Sequence, residues 1–328
     1  MRSALRSAAF ELAVCARAVD FLTMKISVVG LGRVGSTLAF ALSQRNFVHE
    51  MILVGRNREA AIGDALDLRH AQSFVEVPTR ILAGTVEDTA GSDIIVVCAS
   101  VPMPQNMADR AQLGPGNVRL MRELLPSLAK LSPNAILVMV SNPVDLLTYF
   151  AIQFTGFPAA HVIGSGTLID SARLRHELSL ELGIHSEDLR AYILGEHGDS
   201  QFAAMSCATA GGEAIDDTPA RRQLIERVTR TGLQIMRYKG FTNYGIALAA
   251  AAIVQAVGLD TKHTLPVSVA VNGFLGVNDV CLSLPAVVGR GGIERILQPR
   301  LNEAEAAAFR ASAEAVKKQI AAARAGLS

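Results

Sequence analysis

Beyond Met24, short runs rich in Val and Ile at 26–29, 51–54, 80–82, 93–99 and 135–140 alternate with helical patterns at 34–45, 58–71, 113–131 and 144–154. Runs that are apolar on both faces and separated by helices predict a parallel sheet covered on two sides. The first half is therefore expected to be a doubly wound α/β fold. From about Gly164 the pattern changes to helices at 167–182, 218–239 and 243–257, with strand-like runs at 267–272 and 280–288. A last helix is signalled by an Asn302 N-cap with Glu305 three residues on, followed by Phe309, Ala313, Val316 and Ile320 at helical spacing. This predicts a mixed α+β second domain. The expected division is an extension at 1–23 outside the fold, a first domain at 24–164 and a second at 165–328. Neither a repeat nor a low-complexity linker separates the two, so they are expected to pack tightly.

Pro102, Pro104, Pro115 and Gly116 punctuate a long irregular stretch before the helix at 113–131. Long loops in compact domains are often lids or binding loops, which makes this stretch the candidate lid. Arg2, Arg6 and Arg17 with Ser3 and Ser7 resemble a targeting segment, but Glu11 and Asp20 are wrong for one. A start at Met24 is the expected reading, with targeting or a genuine extra tail as the alternatives.

Half of the 328 residues are hydrophobic, yet no apolar run approaches the roughly 18 residues of a membrane span. The formal net charge of +1 and the absence of a basic block argue against nucleic-acid or anionic-lipid partners. Cys15, Cys98, Cys207 and Cys281 lie scattered, without CxxC or zinc spacing. Reduced thiols, no metal site and a cytoplasmic location are the expectation. A small-molecule substrate and a homo-oligomer are expected as partners, the apolar helix around 248–257 suiting an interface as well as a core.

Gly30-Leu31-Gly32-Arg33-Val34-Gly35 follows a strand and opens a helix, the context in which GxGxxG marks a dinucleotide (Rossmann) site. Gly30 permits the tight turn, Gly32 lets the backbone approach a pyrophosphate, and Gly35 allows close helix-to-strand contact. The helix N-terminus then favours phosphate charge. NAD-preferring sites carry Asp or Glu at the end of the second strand to bond the ribose hydroxyls. Here that strand ends in Gly55, followed by Arg56 and Arg58. Without the carboxylate nothing repels a 2'-phosphate and the arginines can pair with it, so NADP(H) is favoured, with NAD(H) as the alternative.

Four further segments carry the chemistry: Ser141-Asn142-Pro143-Val144-Asp145, Gly164 to Arg173 with Asp170 within it, Gly195-Glu196-His197-Gly198-Asp199, and Lys239-Gly240-Phe241-Thr242. A histidine near neutral pH serves alcohol oxidation and carbonyl reduction alike, because its ordinary pKa lies nearby. His197, between glycines that let substrate approach, is the candidate. In order and separation these segments resemble the L-lactate/malate dehydrogenase family from Met24 to the C-terminus.

The resemblance implies a nicotinamide-dependent oxidoreductase of small L-2-hydroxy acids. It gives His197 the acid/base role, Asp170 the role of its partner, and Arg173, whose guanidinium fork suits two-point recognition, the substrate carboxylate. Arg110, in the candidate lid, is implied to polarise the substrate carbonyl on closure. Asn142 is implied to contact substrate and nicotinamide ribose, Thr242 to line the substrate pocket, and Asn117 to belong to the cofactor site. Malate enzymes place a second arginine in the loop before Arg110, and lactate enzymes a glutamine. This loop reads one residue longer, so Met103 or Pro104 occupies the specificity position, with Gln105 adjacent. None is cationic, and burying a second carboxylate without a positive partner costs several kcal/mol. A monocarboxylate, lactate-type or bulkier and apolar, is expected, with malate as the alternative. NAD-using glycosidases need a metal beside a Cys and His pair that this chain lacks. A redox-inactive dinucleotide-binding regulator would lack the set formed by Asn142, Asp170, Arg173 and His197.

Overall fold

The structure, a computed structural model, describes residues 24–102 and 113–327. The extension at 1–23, and with it Cys15, lies outside the described residues, as do Met103, Pro104, Gln105 and Arg110. Strands β1 (Lys25–Val29), β2 (Glu50–Val54), β3 (Arg80–Gly84), β4 (Ile94–Val97), β5 (Ile136–Met139) and β6 (Val162–Gly164) pair in parallel in the order β6-β5-β4-β1-β2-β3. Helices α1 (Arg33–Ser43), α2 (Arg58–Ala71), α3 (Gly114–Leu131) and α4 (Val144–Thr155) connect them. β4 and β5 are buried at every position, which is why their sequences lack alternation. The doubly wound first half is as expected.

In the second half, α5 (Leu168–Leu182) is followed by two-residue strands β7 (Leu189–Arg190), β8 (Ile193–Leu194), β9 (Phe202–Ala203), β10 (Thr209–Ala210) and β11 (Glu213–Ala214). Helices α6 (Pro219–Lys239) and α7 (Tyr244–Gly258) come next, then β12 (His263–Asn272), β13 (Asn278–Gly289), β14 (Gly292–Ile296) and α8 (Glu303–Ala325). The long strands do not form a sheet of their own. β12 pairs antiparallel with β6 through Ser268 and Gly164, so β14-β13-β12 continue the parallel sheet to nine strands. One core therefore spans both halves, from Ile26 and Val96 to Leu282 and Phe309. A smaller cluster around Leu174, Leu178, Ile193 and Val228 holds α5 to α6. α8 is closed by the expected capping box: Asn302 accepts from the Glu305 N–H at 2.9 Å, and Glu305 from the Asn302 N–H at 3.1 Å. Among the described residues no helix is long and apolar enough to cross a membrane.

Candidate active site

The turn after β1 is built by glycines with different jobs. Gly30 has φ +103°, and a Cβ there would lie 2.2 Å from the Ala99 nitrogen. A Cβ on Gly35 would lie 2.0 Å from the Gly30 oxygen. Both positions exclude a side chain because strand and helix meet there. At Gly32 a Cβ would meet nothing within 4 Å, so this glycine keeps open the space outside the turn. Gly32 is the N-cap of α1, without a side-chain cap and with no acid in the first turn. The free N–H groups of α1 therefore face open space with an unopposed positive dipole end, as a dinucleotide pyrophosphate requires.

Val34 packs against the core. Arg33 is exposed and lies 3.9 Å above the Phe241 ring, with the Lys239 ammonium 4.7 Å from the same ring and 3.8 Å from that of Tyr244. Two cations thus stand beside the glycine turn, one of them brought from α6. At the end of β2, Gly55 leaves the expected carboxylate position empty; Arg56 is exposed and has no ion-pair partner among the described residues. Asn57 N-caps α2 through the Ala60 N–H.

Asn117 is fully buried on α3. Its Oδ1 accepts from the Val101 N–H at 2.7 Å, and its Nδ2 donates to the Asn142 carbonyl at 2.7 Å. Its side chain thus holds together the chain after β4 and the turn carrying Asn142, whose own side chain is half-buried at the head of α4.

The centre of the site is one carboxylate shared by two cations. Asp170, buried in the first turn of α5, bonds the His197 Nδ1 at 2.7 Å through one oxygen and accepts from the Arg173 guanidinium at 2.8 Å through the other. The three-residue spacing of Asp170 and Arg173 on a helix makes that pairing geometric. Burial pushes Asp170 up, but the charges of His197 and Arg173 bring it below the ordinary carboxylate value. Burial pushes His197 down, yet the Asp170 charge and hydrogen bond, with the Asp145 charge added, leave it above the ordinary imidazole value. Gly232 on α6 faces the Arg173 guanidinium, where a Cβ would come within 3.2 Å of Nη1.

His197 is placed by groups to which the sequence pattern assigned no role. Gly195, at φ +87°, exchanges main-chain hydrogen bonds with Ser283 of β13. Ser171 bonds the Ile193 main chain. The His197 N–H itself donates to Asp145 at 2.7 Å, and Ser268 donates to the other Asp145 oxygen at 2.6 Å. The available signal was an acid inside an otherwise apolar helix start, Val144-Asp145-Leu146-Leu147. Thr242 is half-buried between α6 and α7, next to Asn243, whose Nδ2 donates to the Thr37 hydroxyl of α1 at 2.9 Å. The structure thus joins His197, Asp170 and Arg173 directly and ties the turn of Asn142 to them through Asp145; Arg110 and the loop at Met103, Pro104 and Gln105 lie outside the described residues.

Comparison with known proteins agrees with this geometry. Residues 24–164 match the NAD binding domain of lactate/malate dehydrogenase, and residues 167–326 its alpha/beta C-terminal domain. An L-lactate dehydrogenase of Clostridium botulinum is 39% identical over 308 residues, covering 91% of this chain and 96% of its own. One from Thermoanaerobacter sp. is 39% identical over 306 residues, covering 90% of this chain and 98% of its own. Among solved structures, the ligand-bound minor L-lactate dehydrogenase of Enterococcus mundtii superposes with TM-score 0.87 at 30% identity, covering 92% of this chain and 98% of its own. A lactate dehydrogenase from a Medee basin deep-sea metagenome gives TM-score 0.87 at 33% identity, covering 92% and 99%. With its nucleotide turn and its shared carboxylate in place, the chain belongs to the lactate/malate dehydrogenase family, oxidoreductases that act on 2-hydroxy acids with a nicotinamide cofactor.

Proposed function

We propose that this protein interconverts a monocarboxylic L-2-hydroxy acid, lactate-type or with a bulkier apolar side chain, and its 2-oxo acid, favouring NADP(H) over NAD(H). The observation that carries the chemistry is the Asp170 carboxylate bonded to both His197 and Arg173. With Nδ1–H held by Asp170, the Nε2 of neutral His197 is a base for the substrate hydroxyl proton, and protonated His197 returns that proton to the carbonyl oxygen. Arg173 receives the substrate carboxylate on the guanidinium edge not used by Asp170. Asn142 and Thr242 orient the substrate, and Arg110 polarises the carbonyl. Gly30, Gly32, Arg33, Val34 and Gly35 hold the pyrophosphate, Gly55 and Arg56 the adenosine end, with Asn117 supporting Asn142. A nicotinamide held there would supply the hydride acceptor for oxidation and the hydride donor for reduction.

NADP(H) is supported by the exposed Arg56, without an ion-pair partner among the described residues, beside a strand end that carries no acid. The monocarboxylate reading is supported by the absence of a cation at Met103, Pro104 and Gln105. Self-association is supported by apolar side chains left outside on three helices: Phe40 on α1, Ile62 and Leu66 on α2, and Leu248 on α7.

The test is a matrix of NADH and NADPH oxidation with pyruvate, oxaloacetate, 2-oxoisocaproate and phenylpyruvate. Turnover of a monocarboxylate is expected to exceed that of oxaloacetate, and His197→Asn is expected to abolish turnover while cofactor binding stays near normal. Efficient turnover of oxaloacetate alone refutes the substrate reading, and retained activity in His197→Asn refutes the acid/base assignment.

A further inference from the structure

Asp145 is 2% exposed, and both of its oxygens are occupied by residues distant in the chain: the His197 N–H, 52 positions away, and the Ser268 hydroxyl, 123 positions away. An acid in the first turn of a helix ordinarily complements the dipole by facing the free N–H groups of its own helix. Asp145 instead points across the boundary between the halves, onto β12 and the histidine loop. It stands three residues after Asn142, so one short piece of chain, at the head of α4, carries both the half-buried Asn142 and the group that grips the main chain of His197.

We infer that Asp145 is a positioning residue for His197: its carboxylate, oriented by Ser268, fixes the histidine main chain relative to Asn142 and supplies a second negative charge that favours the imidazolium. The inference rests on the acid/base role proposed for His197 and adds a second support to the one Asp170 provides.

The surroundings make this charge effective. Burial pushes the Asp145 carboxyl up to about 6, and the hydrogen bonds donated by Ser268 and the His197 N–H oppose that rise, so the group is ionised at neutral pH. The other titratable groups that face it are Glu196, which opposes its ionisation, and the buried Cys281 thiol of β13, which burial pushes well above its ordinary value and keeps neutral. His197 in turn feels Asp170 and Asp145 as favourable charges and Arg173 as an opposing one. Part of the Asp170 charge is offset by its ion pair with Arg173, so the Asp145 charge is not redundant. An opposite charge close to a titrating group favours its charged form, so the Asp145 carboxylate raises His197 further.

The test is a titration of the His197 ring by nuclear magnetic resonance, its signal identified by loss in His197→Asn, in the parent, Asp145→Asn and Ser268→Ala. The amide of Asp145→Asn keeps an acceptor for the His197 N–H but removes the charge. The expected result is a His197 titration about one pH unit lower in Asp145→Asn, a smaller shift in the same direction in Ser268→Ala, and the same displacement in the pH profile of kcat for 2-oxo acid reduction. Cofactor affinity is expected to stay within about twofold, since Asp145 touches no group of the nucleotide turn. An unmoved ring titration in Asp145→Asn overturns the inference. If that variant does not fold, an unmoved titration in Ser268→Ala overturns it. Because the ring titration needs no turnover, failure of the parent to reduce any 2-oxo acid is read separately, against the proposed function.

Discussion

Gly55 and Asp145 show how much single positions decide. A Cβ at Gly55 would meet Ala61 at 3.3 Å and Leu31 at 3.5 Å, contacts that an aspartate can adopt with a small adjustment. Gly55→Asp is therefore expected to lower kcat/KM for NADPH at least tenfold relative to NADH, by restoring repulsion of a 2'-phosphate. Arg56→Ala should move the ratio in the same direction, and both are read from initial rates with the two cofactors. Asp145 is expensive to keep ionised: burial pushes it up to about 6 from an ordinary 3.8, against the hydrogen bonds of Ser268 and His197. A carboxylate whose value is raised by folding stabilises the fold fully below pH 3.8 and loses that contribution as pH rises through about 6. The loss is about 3 kcal/mol, because each unit is worth about 1.4 kcal/mol. Urea unfolding at pH 4 and pH 7 should therefore show the parent losing stability relative to Asp145→Asn by roughly that amount. Asp170 behaves in the opposite sense: its lowered value gives stability present above its ordinary range and lost as pH falls. Neither sign was legible in the sequence, which gives Asp170 only as the partner of His197 and assigns Asp145 no role, because burial is fixed by the fold.

Helix ends were legible because capping chemistry is local. Thr218, with Pro219 after it, begins α6, and its hydroxyl accepts from the Arg221 N–H at 3.3 Å; Asn302 begins α8 as its pattern implied. Strands β7 to β11 were not legible, since a two-residue strand has no period to detect. The element that joins the proposed substrate and cofactor sides is the turn between α6 and α7. Gly240, at φ +82°, ends α6; Phe241 then lies between Arg33 and Lys239, and Asn243 accepts from Lys239 at 2.6 Å while donating to Thr37. Asn243→Ala removes both bonds. At about 1 kcal/mol for each hydrogen bond, the turn should loosen enough to raise KM for both cofactor and 2-oxo acid several-fold with a smaller change in kcat. Steady-state kinetics with each substrate varied check this, and an effect on only one KM would show that the turn does not couple the two sides.

At the scale of the whole molecule the sheet decides the geometry. Strands β12 to β14, assigned from the sequence to a mixed α+β second domain, extend the first sheet, because Ser268 of β12 pairs with Gly164 of β6. A Cβ on Gly164 would approach the Thr148 hydroxyl at 2.3 Å and the Ser268 Cβ at 2.7 Å, so glycine is what permits that junction. The continuity brings Ser268 beneath α4 and so reaches Asp145. The helix at 248–257, open between core and interface from its sequence, is mostly core: Ala250, Ala251, Ile253 and Val254 are buried and Leu248 is left outside. Ile62 and Leu66, one turn apart on α2, are exposed apolar neighbours, and a charge placed there opposes association without disturbing the core. Leu66→Glu is expected to shift the protein toward the monomer, measured as mass by light scattering at micromolar concentration, with little loss of thermal stability. An unchanged mass would remove α2 from the proposed interface.

The sequence by itself determined the parallel sheet, the nucleotide turn and the ends of the long helices, and singled out His197, Asp170 and Arg173 as candidates. Each depends on short-range periodicity, on capping, or on motifs a few residues long. Only the tertiary structure decided that Asp170 serves two cations at once, that Asn117 supports Asn142 from inside, and that Asp145 and Ser268 reach the histidine loop. Those contacts join residues up to 123 positions apart, and chain separation of that kind leaves no local pattern. Burial then sets the sign of each pKa shift, and burial belongs to the packed molecule.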